Sequence, residues 1–309
     1  MPSKYSIPAL CFGMEINMKK MTNTKRHAIV GWLFLLPAAL LICFMSFRPI
    51  FQAFLTSLKT GIGNQMTFTG ISNYARLLED KTLLTAVTNT LIYMIQIPIM
   101  LGLALWLATL LNRKGLKCKG LFRVLLFLPC ATASVSYSLI FRIMFAYNGM
   151  INTFLVSAGI LDTGYNFFGN PWSARFIILL ALVWRWTGYN MVFLSAALQN
   201  IDESIYESAV LDGASELQKF FKITIPLIKP TLILLCIMTV NGTIQLYDES
   251  VNLTGGGPAN STLSISHYIY NLSFAYTPNF GYATAISFVI FVVVAVLSLI
   301  QMKVGDKRE

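Results

Sequence analysis

Six long apolar runs, at about residues 28–49, 85–111, 121–144, 173–198, 231–249 and 281–303, divide a chain whose charged residues gather between them. Each is near the ~20 residues a helix needs to cross the hydrocarbon core of a bilayer. The fifth run is the least apolar, because Asn241, Gln245, Asp248 and Glu249 interrupt it. The first is too long for the core of a signal peptide and has no small-residue cleavage site, so it reads as a retained span. The pattern predicts an all-α polytopic membrane protein with six transmembrane helices.

Charge orients these spans, since Lys and Arg concentrate in cytoplasmic loops. Lys19, Lys20, Lys25 and Arg26 precede the first run; Arg113, Lys114, Lys117 and Lys119 lie between the second and third; Lys219, Lys222 and Lys229 follow the fourth; Lys303, Lys307 and Arg308 end the chain. The connections at about 145–172 and 250–280 hold no Lys or Arg, and only the one at 50–84 departs, with Lys59, Arg76 and Lys81. Both termini are therefore expected in the cytoplasm: an amino-terminal tail over 1–27, a membrane domain over 28–303 and a short tail over 304–309. Met18 reads as an alternative start, with residues 1–17 either untranslated or a disordered tail.

Composition supports this reading. Of 309 residues, 56% are apolar and 12% charged, against roughly 25% charged in soluble domains. A net charge of +10 could suggest a nucleic-acid partner, but its distribution is that of a topology signal. Cys11, Cys43, Cys118, Cys130 and Cys236 are scattered without metal-ligand or disulfide spacing. No GxxxxGK[ST] phosphate cradle is present, so the chain is not expected to hydrolyse ATP.

The largest cytoplasmic connection, about 200–230, is unlike the rest. Ser204-Ile-Tyr-Glu207 and Ser215-Glu-Leu-Gln218 both fit capping boxes, with Gly213 placed to end the first helix in a left-handed turn. Ile205, Tyr206, Ala209 and Val210 share one face, and Leu217, Phe220 and Phe221 share another; Pro226 and Pro230 are expected to close the loop before the fifth span. Such a hairpin could lie on lipid headgroups or dock a soluble partner, and the physics alone leaves both open. The stretch "ESAVLDGASELQKFFKITIPLIKP" resembles the EAA loop of bacterial ABC importer permeases, with Glu207, Ala209, Gly213, Ile223 and Pro226 matching the pattern, Ser208 in place of Ala and Ile225 in place of Leu. The resemblance implies that this segment, with Asp212, Ala214 and Phe220, couples the spans to an ATPase subunit. Glu207 would pair with a basic group of that subunit.

"NLTGGGPANSTLSISHYIYNLSFAYTPNFGYATAISF" is similar to the last loop and span of the carbohydrate-type permeases, the group of the maltose and multiple-sugar systems. Its hallmarks here are Thr254–Pro258, Thr262, Tyr268, Tyr270 and Gly281–Ala283. The resemblance implies sugar import at a bacterial cytoplasmic membrane, beside a second permease, two copies of an ABC ATPase that bind ATP and Mg, and an extracellular solute-binding protein. The chain would carry no cofactor of its own.

Asn241 and Gln245 are one helical turn apart, near the middle of the expected fifth span. Their amides suit a hydroxyl-rich ligand, and equally suit hydrogen bonds between helices. Tyr247, Tyr189, Trp184 and Trp186 could stack on sugar rings. Alignment with the family carries substrate contacts onto Gly188, Met191, Met238, Asn241, Gly242 and Gln245, with Met191 and Met238 departing from the polar or aromatic residues of the maltose case. Arg185, midway along the fourth run, would either meet an anionic solute, such as a uronate or sugar phosphate, or be structural, paired with a carboxylate or snorkelling through water. Asp248 and Glu249 are expected on a solvated rim.

Overall fold

The computed structural model describes residues 23–62, 65–113 and 115–305. The expectations for residues 1–22 and for Lys307 and Arg308 lie outside them. The first unit, ending at Ala53, is helical where described. Helix α1 (Asn23–Ile42) passes through a π-helical turn at Cys43–Phe47 into α2 (Arg48–Ser57), and the apolar stretch within it has no buried residue.

The second unit begins at Phe54. After α2 comes a small antiparallel pair, β1 (Lys59–Thr60) against β2 (Thr67–Phe68), then α3 (Ser72–Leu77), so the described residues of the expected connection at 50–84 include regular elements. The second span is α4 (Lys81–Tyr93) followed by α5 (Gln96–Asn112). They part at Met94 and Ile95, where Pro98 has no N–H for the carbonyl four residues earlier.

The expected third span is broken. Helices α6 (Lys119–Ala131) and α7 (Ser134–Met144) meet at 94°. Pro129 removes one backbone donor, Thr132 and Ala133 are extended, and the Thr132 hydroxyl donates to the Leu128 carbonyl at 3.1 Å, which ends α6. After α8 (Met150–Ser157), the fourth span is one helix, α9 (Pro171–Gln199), capped by the Asn170 side chain and opened by Pro171.

The charged hairpin forms α10 (Glu203–Leu211) and α11 (Glu216–Lys219). Asp202, rather than the expected Ser204, is the N-cap of α10, and accepts from the Ser204 N–H at 3.0 Å. The Ser215–Gln218 capping box forms in both directions, and Gly213 has the left-handed φ of +75°. The prolines do not close a loop. Helix α11 continues through a π-helical turn at Phe220–Thr224 into α12 (Ile225–Ile244), where Pro226 sits in the first turn and Pro230 inside the helix. The fifth span therefore begins and ends earlier than the sequence suggests, and a π-helical turn, Ser250–Thr254, follows it. Helices α13 (Ile265–Tyr270) and α14 (Phe280–Gly305) complete the chain.

Among the described residues, five helices are long and apolar enough to cross a membrane, and the bent pair makes six. Helix α5 packs along α9, and α12 packs on both and on α14. One core joins α5, α9 and α12 through Ala104, Leu105, Met191, Leu194 and Leu235. A second joins α4, α13 and α14 through Leu83, Ala86, Tyr268 and Tyr282. Large side chains such as Trp106, Phe291 and Leu299 are exposed on the outward faces, as spans packed in lipid require.

Candidate functional site

Between α9 and the carboxyl end of α12 lies a cavity of about 720 Å³. Helix α9 contributes Arg185, Trp186, Tyr189 and Asn190, and Gln96 enters from the first turn of α5. Helix α12 contributes Met238, Gly242 and Thr243, the non-helical stretch after it Gln245 and Tyr247, and the helical turn that follows Asp248 and Glu249. The wall exists because α12 stops: Gln245 is its C-cap, and the backbone turns there, so that consecutive residues 245–249 reach one space.

Of the residues expected on the substrate path, the structure brings Trp186, Tyr189, Met238, Gly242, Gln245 and Tyr247 to this wall and leaves Gly188, Met191, Asn241 and Trp184 out. Gly188 faces α6, where a Cβ would lie 1.8 Å from the Leu126 carbonyl oxygen. Met191 is fully buried in the α5–α9–α12 core. Asn241 turns to α14, where its Nδ2 donates to Ser298 Oγ at 3.5 Å. Gln245 is exposed at the helix end, so the two amides one turn apart do not share an environment.

Gln96, Asn190 and Thr243 are not singled out by sequence reasoning. Their one signal is polarity inside an apolar run. Gln96 Nε2 donates to Thr243 Oγ1 at 3.0 Å, and Thr243 in turn donates to the Thr239 carbonyl at 2.8 Å. Gln96 Oε1 is buried without a hydrogen-bond partner. Trp186 and Tyr189 meet edge to face at 5.8 Å, whereas Trp184 packs away from the cavity on Tyr137 and Phe141.

The charged part of the wall departs from expectation. Glu249 is not on a solvated rim but 4% exposed, and it accepts from Arg185 Nη1 at 3.2 Å and from the Tyr137 hydroxyl. Arg185 is also 3.2 Å from that hydroxyl, and the Tyr137 and Trp186 rings lie 4.6 and 5.1 Å from its guanidinium carbon. Of the two readings of Arg185, pairing with a carboxylate is the one realised.

The segment after the cavity is fastened by the hallmark residues. Thr262 Oγ1 bonds Thr254 Oγ1 at 2.7 Å and donates to the Gly257 carbonyl at 2.8 Å. Asn89 donates to the Asn260 and Leu263 carbonyls, and Arg175 Nε to the Ser261 carbonyl. Ser250 Oγ donates to the Thr262 carbonyl, so His267 Nδ1, 2.8 Å from Ser250 Oγ, must be the donor of their bond. Burial holds the His267 pKa below its ordinary value. Asp80 accepts from both the Tyr268 and Tyr282 hydroxyls at 2.7 Å, and Arg76 stacks on Tyr282 at 4.3 Å. Gly281 lets Lys59 approach, since a Cβ would lie 1.9 Å from the Lys59 oxygen.

On the charged hairpin, Ala209 is buried and Tyr206 bonds Thr224 Oγ1 at 2.9 Å, which ties α10 to the start of the fifth span. Glu207, Ser208, Asp212, Gly213 and Pro226 are exposed, and Ala214, Phe220 and Ile223 are half-buried. Val210 and Leu211, 55% and 88% exposed, flank Glu207 over a shallow depression. Among the described residues, no group of three or more His, Cys, Asp or Glu could hold a metal ion.

Several apolar spans, a cavity where one of them unwinds, and an exposed hairpin continuous with that same span define a membrane transport subunit. The chain belongs to the family of binding-protein-dependent transport system inner membrane components, whose model matches residues 100–308. It is 45% identical over 292 residues to the lactose transport system permease protein LacF of Rhizobium radiobacter, covering 93% of this chain and 98% of that one. It is 34% identical over 278 residues to the arabinooligosaccharides transport system permease protein AraP of Halalkalibacterium halodurans, covering 89% and 87%. The fold matches a crystal structure of a bacterial ABC transporter involved in import of the acidic polysaccharide alginate, with a TM-score of 0.80 at 22% identity, over 92% of this chain and 96% of that one.

Proposed function

We propose that this chain is one of two permease subunits of an ATP-driven importer, and that it carries a sugar or oligosaccharide inward across the cytoplasmic membrane. The cavity carries this reading. The amide of Gln245, exposed at the end of α12, offers a donor and an acceptor to hydroxyls, and Trp186 and Tyr189 offer flat apolar faces to sugar rings. The names of the relatives, lactose and arabinooligosaccharide permeases, agree with it. The anionic-solute alternative rests on Arg185, whose charge is met by Glu249.

In this reading the termini and the α10–α11 hairpin face the cytoplasm, as the Lys and Arg distribution argues. Residues 200–230 receive the ATPase, with Glu207 at the contact and Leu211 beside it. ATP and Mg are bound by two copies of that partner, and an external binding protein delivers the sugar. Coupling requires only that ATP and the loaded binding protein favour the outward-open state over the inward one.

The test is reconstitution in vesicles with the partner subunits, measuring ATP-dependent uptake of labelled lactose and arabinooligosaccharides. Uptake of either that stops on removing ATP supports the reading. A complex that hydrolyses ATP and moves no saccharide refutes it.

A further inference from the structure

The cavity wall is unevenly charged. Arg185, Asp248 and Glu249 are its strong base and its two acids, and the one cation against two carboxylates leaves a net charge of −1. The cation is engaged through one nitrogen and its ring contacts: Nη1 donates to the Glu249 carboxylate and to the Tyr137 hydroxyl, both at 3.2 Å, and the rings of Tyr137 and Trp186 lie near the guanidinium. Glu249 cannot turn away to release it without losing the Tyr137 hydroxyl as well, because both donate to the same oxygen of a buried carboxylate. Asp248, half-exposed, lines the same cavity beside Glu249.

We infer that Glu249 is a specificity-determining residue: by holding Arg185 in an ion pair, with Asp248 beside it, it makes the cavity select uncharged saccharides and reject acidic ones. The inference rests on the proposed function and goes further, since sugar import alone does not say which charge is admitted. An arginine in a transport cavity suggests an anion site; here its partner is supplied from the same chain. A uronate entering the cavity would meet Asp248 unopposed and would have to compete with Glu249 for Arg185. At separations of a few ångströms, charges in such a site change affinity on the order of tenfold or more. The acidic cargo of the fold neighbour is therefore not expected here.

The experiment uses the assembled permease–ATPase complex in detergent and measures equilibrium binding of lactose and of digalacturonate, a neutral and an acidic disaccharide. The wild-type complex is expected to favour lactose by about tenfold or more. In Glu249→Gln, Arg185 is unopposed and the digalacturonate-to-lactose affinity ratio should rise about tenfold; in the double variant Arg185→Gln/Glu249→Gln it should return toward the wild-type value. A purely structural role for Glu249 would lower both affinities in parallel and leave the ratio unchanged, which overturns the inference. A wild-type preference for digalacturonate overturns it too. If Glu249→Gln does not assemble, Arg185→Gln replaces it: with both carboxylates uncompensated the ratio should fall about tenfold, and an unchanged ratio in that variant has the same consequence. Binding of neither disaccharide by a complex that hydrolyses ATP refutes sugar import itself, and the charge selection with it.

Discussion

Asp80 stands one residue before α4, and each of its carboxylate oxygens has a separate task. Oδ1 accepts from the Thr82 and Leu83 N–H groups, and Oδ2 from the Tyr268 and Tyr282 hydroxyls. Burial works against its charge, but the four hydrogen bonds outweigh this and hold its pKa below the ordinary 3.8. The sign follows: a lowered carboxylate adds stability that is complete above pH 3.8 and is lost as the pH falls through the folded value. Asp80→Ala should cost about 1 kcal/mol for the cap and about 1 kcal/mol for each stranded hydroxyl, read as a lower thermal midpoint at pH 7. The difference from wild type should narrow in acid. None of these partners is legible in the sequence, where Asp80, Tyr268 and Tyr282 are separated by up to 202 positions. The tyrosines stand out only as part of a motif. Glu249 is misplaced by sequence reasoning for the same reason: position along a span says nothing of the Arg185 and Tyr137 that face it from elsewhere. Gln245 is legible, because an amide in an apolar run is itself a signal.

The elements are the most legible level. All six apolar runs coincide with helical segments, since hydrophobic length is what both the bilayer and the fold respond to. What hydropathy does not show is continuity. Pro129 and two extended residues bend the third run by 94° without making it less apolar. Conversely, Pro226 and Pro230 suggest a break where the helix continues. Tight helix contacts are equally hidden, because a glycine needed for packing and one open to a cavity look alike. Gly188→Ala would place a methyl 1.8 Å from the Leu126 carbonyl oxygen, and forcing α6 and α9 apart should cost about 1–3 kcal/mol. Gly242, where an added methyl would meet nothing within 4 Å, should accept Ala with a change in thermal midpoint within the scatter of replicate melts. The pair of melts, done side by side in one detergent, checks both expectations.

For the whole molecule, family membership is written in motif residues, whereas the cavity exists only because α12 stops at Gln245. The exposed hairpin links them. Glu207→Ala should leave insertion and saccharide binding intact while lowering saccharide-stimulated ATP hydrolysis several-fold in the assembled complex; wild-type stimulation in that variant would remove Glu207 from the contact. The consequence of α11 running on into α12 is mechanical. From Glu216 to Ile244 the chain is 29 residues of nearly uninterrupted helix, about 44 Å at 1.5 Å per residue. It is gripped in its middle, where Ile228 and Leu235 are buried against α5 and α9. That grip is a fulcrum. About a pivot midway between these two grips, roughly 23 Å of rod reaches Glu216 and roughly 16 Å reaches Gly242, so a sideways push at Glu216 would arrive at the cavity reversed in direction and reduced to about seven-tenths. A push of one side chain's width at one end thus moves Met238 and Gly242 by part of that width the other way, a stroke matched to opening or closing a space the size of a sugar ring.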